Sequence, residues 1–335
     1  MLRFVLRRLV LLVPVLFGLT ALVFAIARLL PGDPVALAAG PNATPAEIAA
    51  YGREFGLDRP LLVQYGDYVA GLLRGDFGVS IYTRRPVRED LQAYLPATLE
   101  LVFAAMLLAI LVGIPAGLAA AVWRDRWPDY LSRVVALGSI SMPRFFLGLL
   151  LQLLFAMWLG WLPLGGRYPI IEDPPALVTG FLTIDALISR DLTAFGVALQ
   201  HLAMPAVAMS LSPLATIMRM MRASTLEVMQ QDYVLTERAL GLPQRLIVLK
   251  YVARNAISST LTVIGLYFGW LLGGTVLVET VFDWPGLGLY ATKAVVTQDF
   301  MPVIGVTLVI GTLFVLANFV IDMLYGIINP KVRYE

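Results

Sequence analysis

Cysteine is absent from the 335 residues, which excludes disulfides, thiolate nucleophiles and cysteine metal sites. Histidine occurs once, as His201, and the only lysines are Lys250, Lys293 and Lys331. None of these lysines sits in a G-x-x-x-x-G-K-[ST] stretch, so the chain has no P-loop, and any use of ATP has to come from a partner. Charge is scarce as well: 14% of residues are charged and 59% are hydrophobic, against about 25% charged in an average soluble domain. The composition is that of an integral membrane protein, and no nucleic-acid partner is expected.

A hydrocarbon core of about 30 Å needs about 20 apolar residues per helix. Six runs meet that length, over residues 9–30, 97–122, 134–159, 196–218, 258–282 and 302–328. The expected fold is therefore an all-α integral membrane protein with six transmembrane helices. The opening MLRFVLRRL resembles the start of a secretory signal, but the apolar run after it is too long for a signal core and lacks an A-x-A cleavage site, so it reads as a retained span. Arg3, Arg7 and Arg8, then Arg124, Arg126 and Arg133, the segment after span four, and Lys331 and Arg333 hold most of the positive charge behind the net +2. The positive-inside rule places both termini and these loops in the cytoplasm.

Residues 1–30 then form a tail and first span, 31–96 an external subdomain, and 97–335 a five-helix core with a cytoplasmic loop at about 222–257. A connection as long as 31–96 needs structure of its own. Thr44, Pro45, Glu47 and Gly56 spell the start and stop of one helix; Asp58, Pro60 and Gly75 repeat the pattern for a second. Leu61, Leu62, Tyr65, Tyr68, Val69 and Leu72 make an apolar stripe on that second helix, suited either to capping the span ends or to docking an external partner. The 160–195 loop is rich in glycine and proline and carries no readable role. Trp158 and Trp161 suit a bilayer interface.

Within the spans, Gly265, Gly269 and Gly273 recur every four residues on one helix face, and Gly113 and Gly117 do so around Pro115. Such spacing lets a neighbouring backbone come close, whether inside this chain, at a second subunit or along a pore. Arg28, Glu100, Arg144 and Asp322 are the charges at membrane depth. Arg28 and Glu100 lie near span ends, where they can snorkel; Arg144, after Pro143, is the central one. No carboxylates cluster at the midplane, which argues against an ion-coupled carrier. His201 with the serines of GSIS, Ser139 and Ser141, raises an intramembrane protease, but residue type alone supports it, and a structural histidine is favoured.

The polar stretch DYVLTERALGLPQRLIVLKYVARNA, residues 232–256, lies between two apolar spans. Asp232 is expected to cap a short helix that Gly241 ends, with Pro243 in the first turn of the next. Leu235, Ala239 and Leu242 share a side there, and so short a helix needs a partner to cover it. This stretch resembles the EAA loop of ABC importer permeases of the dipeptide/oligopeptide/nickel family. LLVPVLFGLTALVFAIARLLPGDP, GLDRPLLVQY, LPATLEL, HLAMPA, ETVFDWPGLG and DMLYGIINPKVR match the same family in order along the chain.

The resemblance implies a type I ABC importer fold and a coupling helix, Asp232, Tyr233, Leu235, Thr236, Glu237, Arg238, Ala239, Gly241 and Leu242, seated in a groove of an ATPase subunit. Leu235, Thr236 and Glu237 stand where the E-A-A triplet would be, and Ser259 stands where many members have proline. It further implies a second homologous permease chain, two ATPase subunits that bind ATP and magnesium, an extracytoplasmic solute-binding protein, and a bacterial inner membrane. The cargo implied is a short peptide, with nickel complexes, glutathione or oligosaccharides as variants.

Overall fold

The computed structural model describes residues 2–29, 44, 46 and 59–328. The first helix expected in the external loop, the cap at Asp58, Lys331 and Arg333 lie outside the described residues, as do the side chains of Arg3, Arg7, Arg28 and Asp322. Among the described residues the elements are helices, joined by loops and one isolated antiparallel bridge between Val79 and Pro86.

The order is α1 (Leu2–Leu29), α2 (Leu61–Leu73), α3 (Val87–Val122), α4 (Trp127–Ser141), α5 (Arg144–Trp158), α6 (Leu182–Ile188), α7 (Leu192–Val228), α8 (Asp232–Ala239), α9 (Gln244–Gly273), α10 (Val276–Val281), α11 (Leu287–Val296) and α12 (Phe300–Ile328). Helices α1, α3, α7, α9 and α12 are each long and apolar enough to cross a membrane, and α4 with α5 makes a sixth span if the pair is counted as one.

Several expected boundaries move. The third span is two helices bent by 106°, because Met142 precedes proline and takes an extended conformation, φ −106° and ψ 121°; proline's ring denies the helical region to the residue before it. The second span begins ten residues early, at Val87, with Glu89 and Asp90 in its first turn, where acidic groups favour a helix N-terminus. The fourth continues past Arg219 and Arg222 to Val228. The fifth ends at Gly273, so that Val276–Val281 is a separate short helix and not the end of a span.

The centre of the bundle is the seam between α3 and α7. Leu101, Ala105, Ala109, Gly113, Gly117 and Ala121, spaced every four residues, are all buried. A Cβ on Gly117 would lie 2.5 Å from the Met218 carbonyl oxygen and 2.8 Å from the Met221 Cβ. The G-x-x-x-G pair of this helix is therefore spent on packing within the chain. Gly265 and Gly269 are used the same way: one faces Ile321 and the other Phe314, both on α12, while Gly273 has no atom within 4 Å of an added Cβ.

Helix α1 is mostly exposed and meets α12 where Leu19 fills the space over Gly311. Helix α2 starts at Leu61 and leans on α1 through Tyr65, whose ring stands edge-on to Phe17 and whose hydroxyl lies 2.8 Å from the Thr20 hydroxyl. Tyr68 stacks obliquely on Phe24. Tyr65 and Tyr68 of the stripe thus make the capping contact, and Leu61 and Leu62 stay exposed.

Gly117→Val is expected to destabilise the purified chain by about 1–3 kcal/mol, the usual cost of overpacking, and to lower its melting temperature in detergent. Gly273→Ala should leave that temperature close to the parent's, since nothing opposes the added methyl.

Candidate functional site

Two groups of residues stand out, at opposite faces of the bundle. At the first, α7 ends and α9 begins, and α8 is held between them by one side chain. Val234 is fully buried and packs with Ile247 and Val252, bordered by Val228, Met229 and Leu242. The Tyr233 hydroxyl accepts from the Asn255 side chain at 2.9 Å, a second tie to α9. Asp232, Tyr233, Leu235, Thr236, Arg238 and Ala239 are exposed, and Glu237 is half-buried. Leu235 is 51% exposed and Leu240 72%.

The local geometry follows from sequence. Gly241 has φ +75° and a Cβ there would meet nothing within 4 Å, so the demand for glycine is conformational and not steric. Its N–H bonds to the Arg238 carbonyl, and the Leu242 N–H to the Glu237 carbonyl, which closes the helix. Pro243 stands just before the next helical turn, at its N-cap.

Two expectations are corrected here. Asp232 is the first helical residue and not the cap, a position taken by Gln231 without a side-chain bond. Leu242 lies inward with Val234 and not on the open side with Leu235. Sequence reading missed Val234, because a two-turn helix bearing Tyr233, Val234, Leu235, Ala239 and Leu240 has no unique apolar face.

At the opposite face LPATLEL, HLAMPA and ETVFDWPGLG converge. Thr98 donates to Glu279 at 2.8 Å, and Glu279 accepts from the N–H groups of Gly288 and Leu289 at 2.7 and 3.0 Å. Thr98 itself accepts from the Leu287 N–H. The first three N–H groups of α11 are thus satisfied by side chains from α3 and α10, the role an N-cap residue plays locally. Trp284, buried, donates its indole N–H to the Ala97 carbonyl at 2.8 Å.

The 160–195 loop, without a role in the sequence, is pinned over this cluster. Gln152 donates to the carbonyls of Leu164 and Val281, and the Gly166 N–H to that of Phe282. Arg167 reaches down to Glu100 at 2.9 Å, with its guanidinium 5.8 Å above the Trp284 ring. Glu100 is therefore no snorkelling residue: it is 4% exposed and accepts also from the Thr183 N–H and hydroxyl. Asp185, buried at the start of the same loop's helix, is pushed up by burial, but hydrogen bonds from Thr179 and Gly180 outweigh this and hold it below the usual carboxylate range.

His201 is structural, its Nδ1 within 3.1–3.2 Å of the Gly165 and Gly166 carbonyls. The Ser139 and Ser141 hydroxyls donate to carbonyls of their own helix, so no Ser-His pair forms. Arg144 sits at the start of α5, half-buried, where Gly274 leaves it room.

Comparison with known proteins adds two family-model matches: the N-terminal part of the membrane components of binding-protein-dependent transport systems over residues 1–102, and the inner membrane component of those systems over residues 113–334. The chain is 46% identical to the probable D,D-dipeptide transport system permease protein of Escherichia coli K12, over 96% of this chain and 94% of that protein. It is 44% identical to the di/tripeptide transport system permease protein of Pseudomonas aeruginosa and 39% identical to the glutathione transport system permease protein of Salmonella typhimurium, each over the full length of both chains.

Removing Arg167 alone, as Arg167→Met, should cost about 3–5 kcal/mol, because Glu100 is left charged and buried without its partner. The double variant Arg167→Met with Glu100→Met is expected to cost less than the single one. Thermal unfolding of the parent, the two single variants and the double in one detergent measures the difference.

Proposed function

The chain belongs to the family of inner membrane components of binding-protein-dependent transport systems, and we propose that it serves an ATP-driven importer of dipeptides and oligopeptides. In this reading it is a non-catalytic permease subunit that forms the path together with a second, homologous permease. Two ATPase subunits bind ATP and magnesium on the cytoplasmic side, and an extracytoplasmic binding protein delivers the peptide. The chain lies in a bacterial inner membrane with both termini in the cytoplasm, as the distribution of arginine and lysine favours.

The observation that carries this reading is α8, an exposed two-turn helix fixed to the bundle by Val234. Because Val234 touches residues at the end of α7 and the start of α9 together, a displacement of α8 is passed to both spans at once. ATP binding in the partner then favours one arrangement of the spans and hydrolysis releases it, a population shift driven by contacts at α8. The exposed Leu61 and Leu62 of α2 suit contact with the binding protein.

Peptide cargo rests on relatives named for dipeptides and di/tripeptides. A relative named for glutathione, itself a tripeptide, supports a second reading with the same architecture.

Leu235→Asp and Gly241→Pro should each leave the chain inserted and cut ATP-driven peptide uptake at least about tenfold, a loss of about 1.4 kcal/mol or more in coupling. The check is uptake by the complete importer in proteoliposomes alongside its ATP hydrolysis. Normal uptake in both variants would refute the coupling role of α8.

A further inference from the structure

Among the described residues two buried carboxylates are held by arginine, and the others by hydrogen bonds. Glu100 has Arg167, and Asp129, fully buried, is shared by Arg133 and Arg222. Arg144 is different: it makes no ion pair and no hydrogen bond among the described residues. It lies fourteen residues before Trp158 along α5, about 20 Å at 1.5 Å per residue, well inside the depth of a bilayer. A charged group at that depth faces protein or water and not lipid.

The surroundings of Arg144 are polar along one line. Its guanidinium lies against the end of α9, where a Cβ added to Gly274 would stand 2.9 Å from it, and Tyr267 is seven residues earlier on that helix. The Tyr267 hydroxyl lies 2.9 Å from that of Thr216 on α7, and Arg219, one turn further, donates to the same Thr216 oxygen at 3.5 Å. Arg219 is exposed and has no ion pair among the described residues. It also lines, with Ser132, Arg133 and Arg222, a cavity of about 430 Å³. Asp129 there is held by two arginines, so the cavity and the line leading from it carry net positive charge.

We propose that Arg144, Tyr267, Thr216 and Arg219 are this chain's wall of the solute path, and that the two guanidinium groups receive the carboxylate of the passing peptide. The inference rests on the importer reading above. A peptide brings a carboxylate whatever its side chains, so a guanidinium met along the path holds cargo without selecting its sequence. Guanidinium groups match that anion with paired, charge-assisted hydrogen bonds. Two separated arginines offer successive stations, neither of which has to bind so tightly that release fails. The α5 N-terminus adds its own partial positive charge beside Arg144.

The absence of cysteine makes the test clean, since an introduced thiol is the only one in this chain. The complete importer is reconstituted in liposomes with ATP inside, and accumulation of radiolabelled dialanine is measured together with ATP hydrolysis. Arg144→Gln and Arg219→Gln should each lower peptide accumulated per ATP hydrolysed by about tenfold, the loss of one charge-assisted contact, and Arg144→Lys should recover part of it.

In a parallel measurement, Thr216→Cys should react with a membrane-impermeant, water-soluble methanethiosulfonate reagent, more slowly when dialanine is being transported. An unchanged accumulation ratio in Arg144→Gln, with the parent importer active, overturns the carboxylate assignment alone. A thiol at 216 that reacts only with a lipid-soluble maleimide overturns the path assignment and places the line against lipid or a headgroup. A parent importer that accumulates no dialanine overturns the peptide-importer reading and this inference with it.

Discussion

Close approach of two helix backbones is the contact on which the rest of this molecule depends. Lipid tails are as apolar as leucine, so transmembrane helices gain little from hiding apolar surface from one another, and association rests on packing and hydrogen bonds. Along α3 the six buried positions from Leu101 to Ala121 grow smaller towards the middle of the seam, so that α7 meets bare backbone at Gly113 and Gly117. Helix α9 closes on α12 by the same device at Gly265 and Gly269. With these pairs fixed, the residues at the two ends of α3, α7 and α9 are brought to defined places.

What the seams position at one face is a polar lid. Glu279 and Thr98 cap α11 from a distance, Arg167 draws the 160–195 loop onto Glu100, and Trp284 fills the space beneath. Each polar group in this lid finds its partner on another element, which makes the lid a consequence of the bundle and not of local sequence. Burial raises the stakes of every one of those bonds, since a donor or acceptor left without a partner there costs more than the bond itself contributes.

At the other face the logic is reversed. Helix α8 is tied by little more than Val234 and the Tyr233 hydroxyl, and its remaining side chains are left open. In the proposed reading, a firmly packed bundle joined to a lightly held helix lets that helix follow a partner's movement and pass it on through a small apolar cluster. Between the two faces, Arg144 on α5 and Arg219 on α7 make no ion pair among the described residues.

Much of this was legible in the sequence. Scarce charge and long apolar runs established a helical membrane protein, since hydrocarbon leaves helices as the economical way to satisfy the backbone. Gly241 announced a left-handed turn, and ordered matches along the chain identified the family. Span ends were less legible, because a helix such as α7 continues into water without any change in its hydrogen bonding, and only the lipid boundary alters composition there. What the tertiary structure alone decided are the pairings: Glu100 with Arg167, Glu279 with the start of α11, and Val234 as the anchor of α8. These join residues from nine to sixty-seven positions apart on different elements, and local periodicity carries no information about which group of another element will be near.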